Sequence, residues 1–270
     1  MKNLKKILVS FFSVLVLILF ASGCSDSDDN TSGTSRIKVS VTDNPGDYDE
    51  VNIEILDVKI KNSNGTDENG WVSIGIINPG VYNLLELTGG VIAPLSDSEI
   101  PSGFLGQIRL ILGENNTVVK DGITYPLNTP SAQQSGLKVQ IQQDVTGGVL
   151  YRLILDFDAA KSIVKAGNSG QYILKPVLRV LSFAPSGGSV KGVVAPDSIV
   201  TAIYAINGPD TVASTFTQVG NGNYMFKDLG AGTYNFSYVP NDTIHKTATR
   251  SVPVTLGQIT IVDTVKLEKK

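Results

Sequence analysis

The residues best suited to chemistry in this sequence are acids. In "LILDFDAAKSIV", Asp156 and Asp158 alternate with Leu153, Leu155 and Phe157. On a strand the two carboxylates would share the face opposite the apolar residues, roughly 7 Å apart. In "TDNPGDYDE", Asp43, Asp47 and Asp49 lie on one loop. If the two segments meet, their oxygens could hold Ca²⁺, a cation that takes six to eight hard oxygen ligands. The spacing is not that of an EF-hand. The same acids also have structural uses, and this is the preferred reading. Asp158 would cap a short helix starting at Ala159. Asp156 would pair with Arg109, Arg152 or Arg179. Asp43 and Asp47 would be turn residues. Apart from this Ca²⁺ option no cofactor is expected.

Other catalytic constellations are scarce. His245 is the only histidine, and no Gly-x-Ser-x-Gly elbow accompanies it for a Ser-His-Asp triad. No phosphate-binding or dinucleotide fingerprint is present. A glycosidase needs only two carboxylates, so a carboxylate-dependent hydrolase stays open as a second alternative, while the main expectation is a protein that is not an enzyme. Trp71, the only tryptophan, follows the polar stretch "NSNGTDENG". It could stack on a sugar if exposed, but as the opening residue of the strand "WVSI" it is expected to be partly buried.

The single cysteine has a different chemistry. Lys2, Lys5 and Lys6 precede an apolar run from Ile7 to Phe20, and Ala21, Ser22 and Gly23 are small. That is the order of a secretory signal peptide, and the run is shorter than the ~20 residues that span a bilayer. The pattern ends in Cys24 and resembles the bacterial lipobox, with Ala21 where leucine is more usual. The resemblance implies that residues 1–23 are removed and that Cys24 is acylated, with palmitate-type chains holding the protein to a membrane. Two or three acyl chains anchor firmly where one is marginal. Asp26, Asp28 and Asp29 follow in "SDSDD", which resembles the export signal that sends Bacteroidota-type lipoproteins to the outer leaflet of the outer membrane. The implied location is the outer membrane, exposed at the cell surface. Residues 24–35 read as a flexible acidic linker.

Removing residues 1–23 takes away three lysines and lowers the formal charge from −3 to −6. No cluster of basic and aromatic residues stands out, so no nucleic-acid partner is expected. With one cysteine no disulfide is available within the chain, and stability must come from packed cores.

The elements that must position these residues are strands. "RIKVSV" puts Ile37, Val39 and Val41 on one face. "VNIEILDVKI" starts with Val51, Ile53 and Ile55 and resumes at Val58 and Ile60, a phase slip that requires a β-bulge. "QIRLIL", "LKVQIQ", "LYRLILDF" and "QYILKPVLRVLSF" follow, with Pro176 marking the last as an edge or bulged strand. A short helix is expected at Ala159 to Val164. Gly80, Gly103 and Gly232 each open a strand after two turn residues. "APSGGS", residues 184–189, reads as a linker. Beyond it come "SVKGVV", "IVTAIYAI", "NYMFKDL", "GTYNFSYV", "SVPVTL" and "ITIVDTVKL", with Tyr204, Tyr224, Tyr234 and Tyr238 assigned mostly to a core. The expected architecture is all-β, two antiparallel β-sandwiches in tandem at residues 36–183 and 187–268.

Two resemblances bear on this. "GNYMFKDLGAGTYNFSYVP" resembles the carboxypeptidase regulatory-like, transthyretin-like sandwich, with the pattern on Gly222, Tyr224, Phe226, Leu229, Gly232, Tyr234 and Phe236. It implies an accessory module. "VTDNPGDYDEVNIEILDVKI", "GVYNLLELTGG", "IPSGFLGQIRLILGENN", "TPSAQQSGLKV", "LILDFDAAKSIV" and "YILKPVLRV" stand in one order and resemble the domain of unknown function 4382 family of bacterial lipoproteins. That implies place and fold, and no activity. The expected role is a lipid-anchored, non-enzymatic surface protein that binds or scaffolds, with a glycan or another envelope protein as partner. The first alternative is an accessory carbohydrate-binding subunit of a glycan-uptake or degradation complex.

Overall fold

A computed structural model of the chain describes residues 33–44, 46–128, 136–167 and 170–270. Residues 1–23, read as a signal peptide, and Cys24, Asp26, Asp28 and Asp29 lie outside the described residues.

In the first half of the chain the strands are β1 (Thr34–Asp43), β2 (Glu50–Lys61), β3 (Val72–Ser73), β4 (Gly80–Asn83), β5 (Ala93–Pro101), β6 (Gly103–Leu112), β7 (Thr117–Lys120) and β8 (Ile123–Asn128). They continue as β9 (Leu137–Val145), β10 (Leu150–Phe157), β11 (Ile163–Ala166), β12 (Gln171–Leu174) and β13 (Leu178–Pro185), with the short helix α1 (Ala159–Ser162) between β10 and β11. One sheet has the order β13-β10-β1-β5; the other runs β11-β12-β8-β7-β2-β6-β9, with β3 and β4 also on β2. Ile37, Val39 and Val41 of β1 and Leu153, Leu155 and Phe157 of β10 share one core with Val51, Ile53 and Ile55 of β2. All nine are fully buried, and each such side chain stabilises the fold by about 1.5–3 kcal/mol. The bulge in β2 is where the phase slip requires it. The register shifts between Ile55 and Asp57, so Leu56 turns outward and Val58 and Ile60 return to the core.

Two expectations change here. "QYILKPVLRVLSF" is not one strand. Pro176 has no N–H to donate, and the chain leaves the larger sheet after β12 and enters the smaller one at β13. The sandwich is also not purely antiparallel, because β1 pairs with β10, and β8 with β12, in parallel. The turn glycines behave as expected: φ is +152° at Gly80, +106° at Gly103 and +155° at Gly232.

The second half forms β14 (Gly188–Ala195), β15 (Thr201–Asn207), β16 (Asp210–Phe216), β17 (Asn223–Leu229), β18 (Gly232–Pro240), β19 (Ala248–Val254) and β20 (Ile259–Lys266). Its sheets are β17-β14-β20 and β16-β15-β18-β19, with β14 and β20 parallel. A separate core gathers Val190, Tyr224, Phe226, Tyr234, Phe236 and Tyr238. Phe226 and Phe236 meet edge-to-face at 5.1 Å, a favoured aromatic geometry. The Tyr224 and Tyr238 hydroxyls bond each other at 2.7 Å, which satisfies two polar groups that burial would otherwise penalise. Tyr204 departs from its expected core position. It lies 36% exposed, since its neighbours Ile203 and Ala205 hold the inward face of β15.

Between β13 and β14 only Ser186 and Gly187 are outside strands, so most of the segment read as a linker is strand. Ser186 N–H donates to Leu150 O at 2.9 Å and Gly257 N–H to Gly187 O at 3.0 Å. The Ser189 hydroxyl donates to Gly148 O. Lys227 pairs with Glu99 at 2.9 Å, and Ile259 packs against the first core. The two sandwiches are therefore held together by backbone bonds, an ion pair and apolar contact.

Candidate functional site

The acids highlighted by the sequence separate into two groups. Asp43, Asp156 and Asp158 gather at the C-terminal ends of the parallel pair β1 and β10. Here the chain changes sheet twice: outward through α1 from β10 to β11, and back through residues 175–177 from β12 to β13. Asp43 Oδ1 accepts from Ala159 N–H at 2.9 Å. Asp158 caps α1, accepting from Lys161 N–H at 3.1 Å, and pairs with Lys161 Nζ at 2.5 Å. Asp156 lies opposite Arg179 in the β10–β13 register; its Oδ2 accepts from Arg179 Nε at 2.6 Å and from Asn44 Nδ2 at 3.0 Å. Ser162 ties the returning segment, its hydroxyl accepting from Val177 N–H at 2.8 Å.

Charge is expensive in this corner. Asp43, Asp156 and Asp158 are 4%, 2% and 3% exposed. Burial pushes the Asp43 carboxyl up to about 6; the bond from Ala159 N–H opposes this, and the charges of Asp156 and Asp158 add to it. Lys161 holds Asp158 below the usual carboxylate range. Asp43 Oδ2 and Asp156 Oδ1 are buried without a hydrogen-bond partner.

Asp47 and Asp49 are elsewhere. Asp47 pairs with Lys120 at 3.0 Å, and Asp49 accepts from Gly122 N–H at 2.9 Å, so both face the β7–β8 turn. Among the described residues no set of three or more His, Cys, Asp or Glu side chains is placed to hold a metal ion. Trp71 has its ring covered by the Arg109 guanidinium, 4.0 Å from the centroid. Arg109 is held in turn by Glu68 at 2.6 Å, so one face of the ring is already occupied. His245 Nδ1 lies 2.8 Å from Asp242 Oδ2.

The open feature is in the second sandwich. A groove of about 780 Å³ runs over the outer face of the β17-β14-β20 sheet. In register, Lys191 of β14 stands between Met225 of β17 and Ile261 of β20. Phe216 and Gln218 form one side, and Asn223 and Asp263 lie along the floor. Phe216 is 63% and Ile261 68% exposed. Among the described residues the side chains of Lys191, Asn223 and Asp263 make no hydrogen bond or ion pair. Tyr224 fills the space beneath Gly192, where a Cβ would come within 2.7 Å of its hydroxyl, so a larger side chain is not accommodated at this position.

The sequence model of the family described as Domain of unknown function (DUF4382) matches residues 34–176. The chain belongs to this family. The DUF4382 match starts with β1 and ends just after β12. It includes Asp43, Asp156 and Asp158, and excludes Arg179 and the whole groove. No curated protein matches the chain. Solved structures with some likeness include the TIE protein of Bacillus anthracis, at 13% identity and a TM-score of 0.24, covering 87% of this chain and 34% of that one. The minor pilin of Streptococcus agalactiae gives 10% identity and 0.24, covering 88% and 97%. A fimbrial protein of Bacteroides ovatus gives 10% and 0.24, covering 88% and 50%. This chain thus spans about a third of the first of these, and similarity at such scores carries no argument about function.

The sequence does not reveal the groove, because its residues are scattered from Lys191 to Asp263 and β16, "DTVASTF", shows little apolar alternation. The one local signal is Phe216, the single aromatic residue of that strand, exposed on it together with Val212.

Proposed function

We propose that this DUF4382 protein is a lipid-anchored, non-enzymatic protein of the bacterial cell envelope, exposed at the cell surface, where it binds or scaffolds. The observation that carries the non-enzymatic part is the burial of the acids. A glycoside hydrolase needs two carboxylates flanking a scissile bond, while Asp43 and Asp156 are 4% and 2% exposed and engaged with α1 and Arg179. Lipid anchoring rests on the run from Lys2 to Cys24. Among the described residues no helix is long and apolar enough to cross a membrane. The second sandwich, read as a carboxypeptidase regulatory-like module, carries the open groove, and this favours the second reading of an accessory carbohydrate-binding subunit.

The test is acylation in the native host. With an alkyne fatty acid supplied to the cells, the wild type is expected to take up label and sediment with membranes, and Cys24→Ala to lose both. Membrane partition unchanged in Cys24→Ala contradicts the anchor. Replacing Asp26, Asp28 and Asp29 with alanine is expected to keep the label and reduce digestion by protease added to intact cells; equal digestion makes these acids a spacer.

A further inference from the structure

The groove has a composition that points to one kind of occupant. Its volume falls within the range of about 300–1,000 Å³ typical of ligand sites. Its three uncommitted side chains supply different functions: Lys191 donates, Asp263 accepts and Asn223 does both. Opposite charges within one groove favour no net charge on the occupant. Phe216 presents an exposed ring at the side. We propose that this groove binds an uncharged oligosaccharide chain, with Phe216 stacking on a sugar ring and Lys191, Asn223 and Asp263 bonding its hydroxyls. The proposal rests on reading the protein as a binding module, and it names the ligand class and the site.

Hydroxyls both donate and accept, so they need a mixed set of partners such as this one. Sugar rings carry apolar C–H faces, which suit Phe216 and the aliphatic floor of Met225 and Ile261. Other occupants fit less well. An extended peptide adding to a sheet needs a free strand edge; β14, which crosses the middle of the floor, offers none, being paired with β17 and β20, so a peptide could add only at the outer edges of those two strands, away from Lys191. A flat apolar protein face would bury Lys191 in the middle of the groove with no partner, which is costly.

The experiment uses the mature chain with Cys24→Ala, which carries no lipid, so its outcome is independent of the anchoring test. Cellohexaose, maltohexaose, laminarihexaose, xylohexaose and mannohexaose are titrated at millimolar concentration by calorimetry. At least one is expected to bind. Phe216→Ala should weaken that binding about tenfold, equivalent to 1.4 kcal/mol, and Asp263→Asn should weaken it several-fold. Because both side chains are exposed, the melting temperature is expected to stay unchanged in each variant. Absence of binding by all five sugars overturns the proposal, and so does binding that Phe216→Ala leaves unaltered.

Discussion

Asp156→Asn is expected to lower the melting temperature of the first sandwich by roughly 5–10 °C at neutral pH, or about 2–3 kcal/mol. Asp156 is 2% exposed, and its Oδ2 accepts charge-assisted bonds from Arg179 and a further bond from Asn44. Asparagine keeps the shape but removes the charge, and it sets an amide nitrogen with no acceptor at the position of an oxygen or beside Arg179. Arg179 itself is 56% exposed, so it can rehydrate, and the loss stays below the ~3–5 kcal/mol of a fully buried pair. Asp158→Asn should cost no more than about 0.5 kcal/mol. Asparagine caps helices about as well as aspartate, and the Lys161 partner is 69% exposed, where an ion pair contributes little. Fluorescence of Trp71, the only tryptophan, follows unfolding of the sandwich that contains these acids. Equal shifts in the two variants would show that the bond across β10 and β13 has no special weight.

Asp43 is expected to make the same sandwich more stable in mild acid. Burial raises its carboxyl to about 6 from an ordinary 3.8, so between those values the folded state holds a proton that the unfolded chain has released. Stability from this group is full below the unfolded value and is lost as pH rises through about 6. At 1.36 kcal/mol per pH unit the total is about 3 kcal/mol. The carboxylates held low oppose this only in stronger acid. Glu68, for example, is brought down to about 2 by Lys138 and Arg109. The melting temperature should therefore rise on going from pH 7.5 to 5, and Asp43→Asn should flatten that rise, because its amide can still accept from Ala159 N–H. A wild type and a variant with the same slope would place the titration elsewhere.

Much of this corner was legible from local sequence. Asp158 ahead of "AAKS" is a capping signal, and the arginines that could reach Asp156 were few. The β2 bulge followed from the displaced Val58 and Ile60. Other features depend on long-range pairing. β5 contains "APLSDSEIP" at a sheet edge, where mixed polar residues and two prolines are tolerated and no alternation survives. β12 and β13 read as one strand because hydrophobic period alone does not reveal that Leu174 and Leu178 enter different sheets. The groove exists only because β20 returns in parallel beside β14, so Lys191 meets Ile261 across some seventy residues of chain. Asp43 and Asp156 were adjacent in the sequence reading only by supposition; the parallel β1–β10 pair brings them together and leaves Asp47 and Asp49 on a separate turn.

The central claim is that the buried acids of the first sandwich hold the chain where it switches sheets and do not form a metal or catalytic centre. Thermal melts followed by Trp71 fluorescence, with calcium and with chelator, test it most directly. A bound ion stabilises the folded state in proportion to RT ln(1 + [L]/Kd). The account predicts superimposable curves in calcium and in chelator for the wild type, Asp43→Asn and Asp156→Asn. A concentration-dependent rise in the wild-type melting temperature with calcium, lost in either variant, would contradict it and make this corner a cation site.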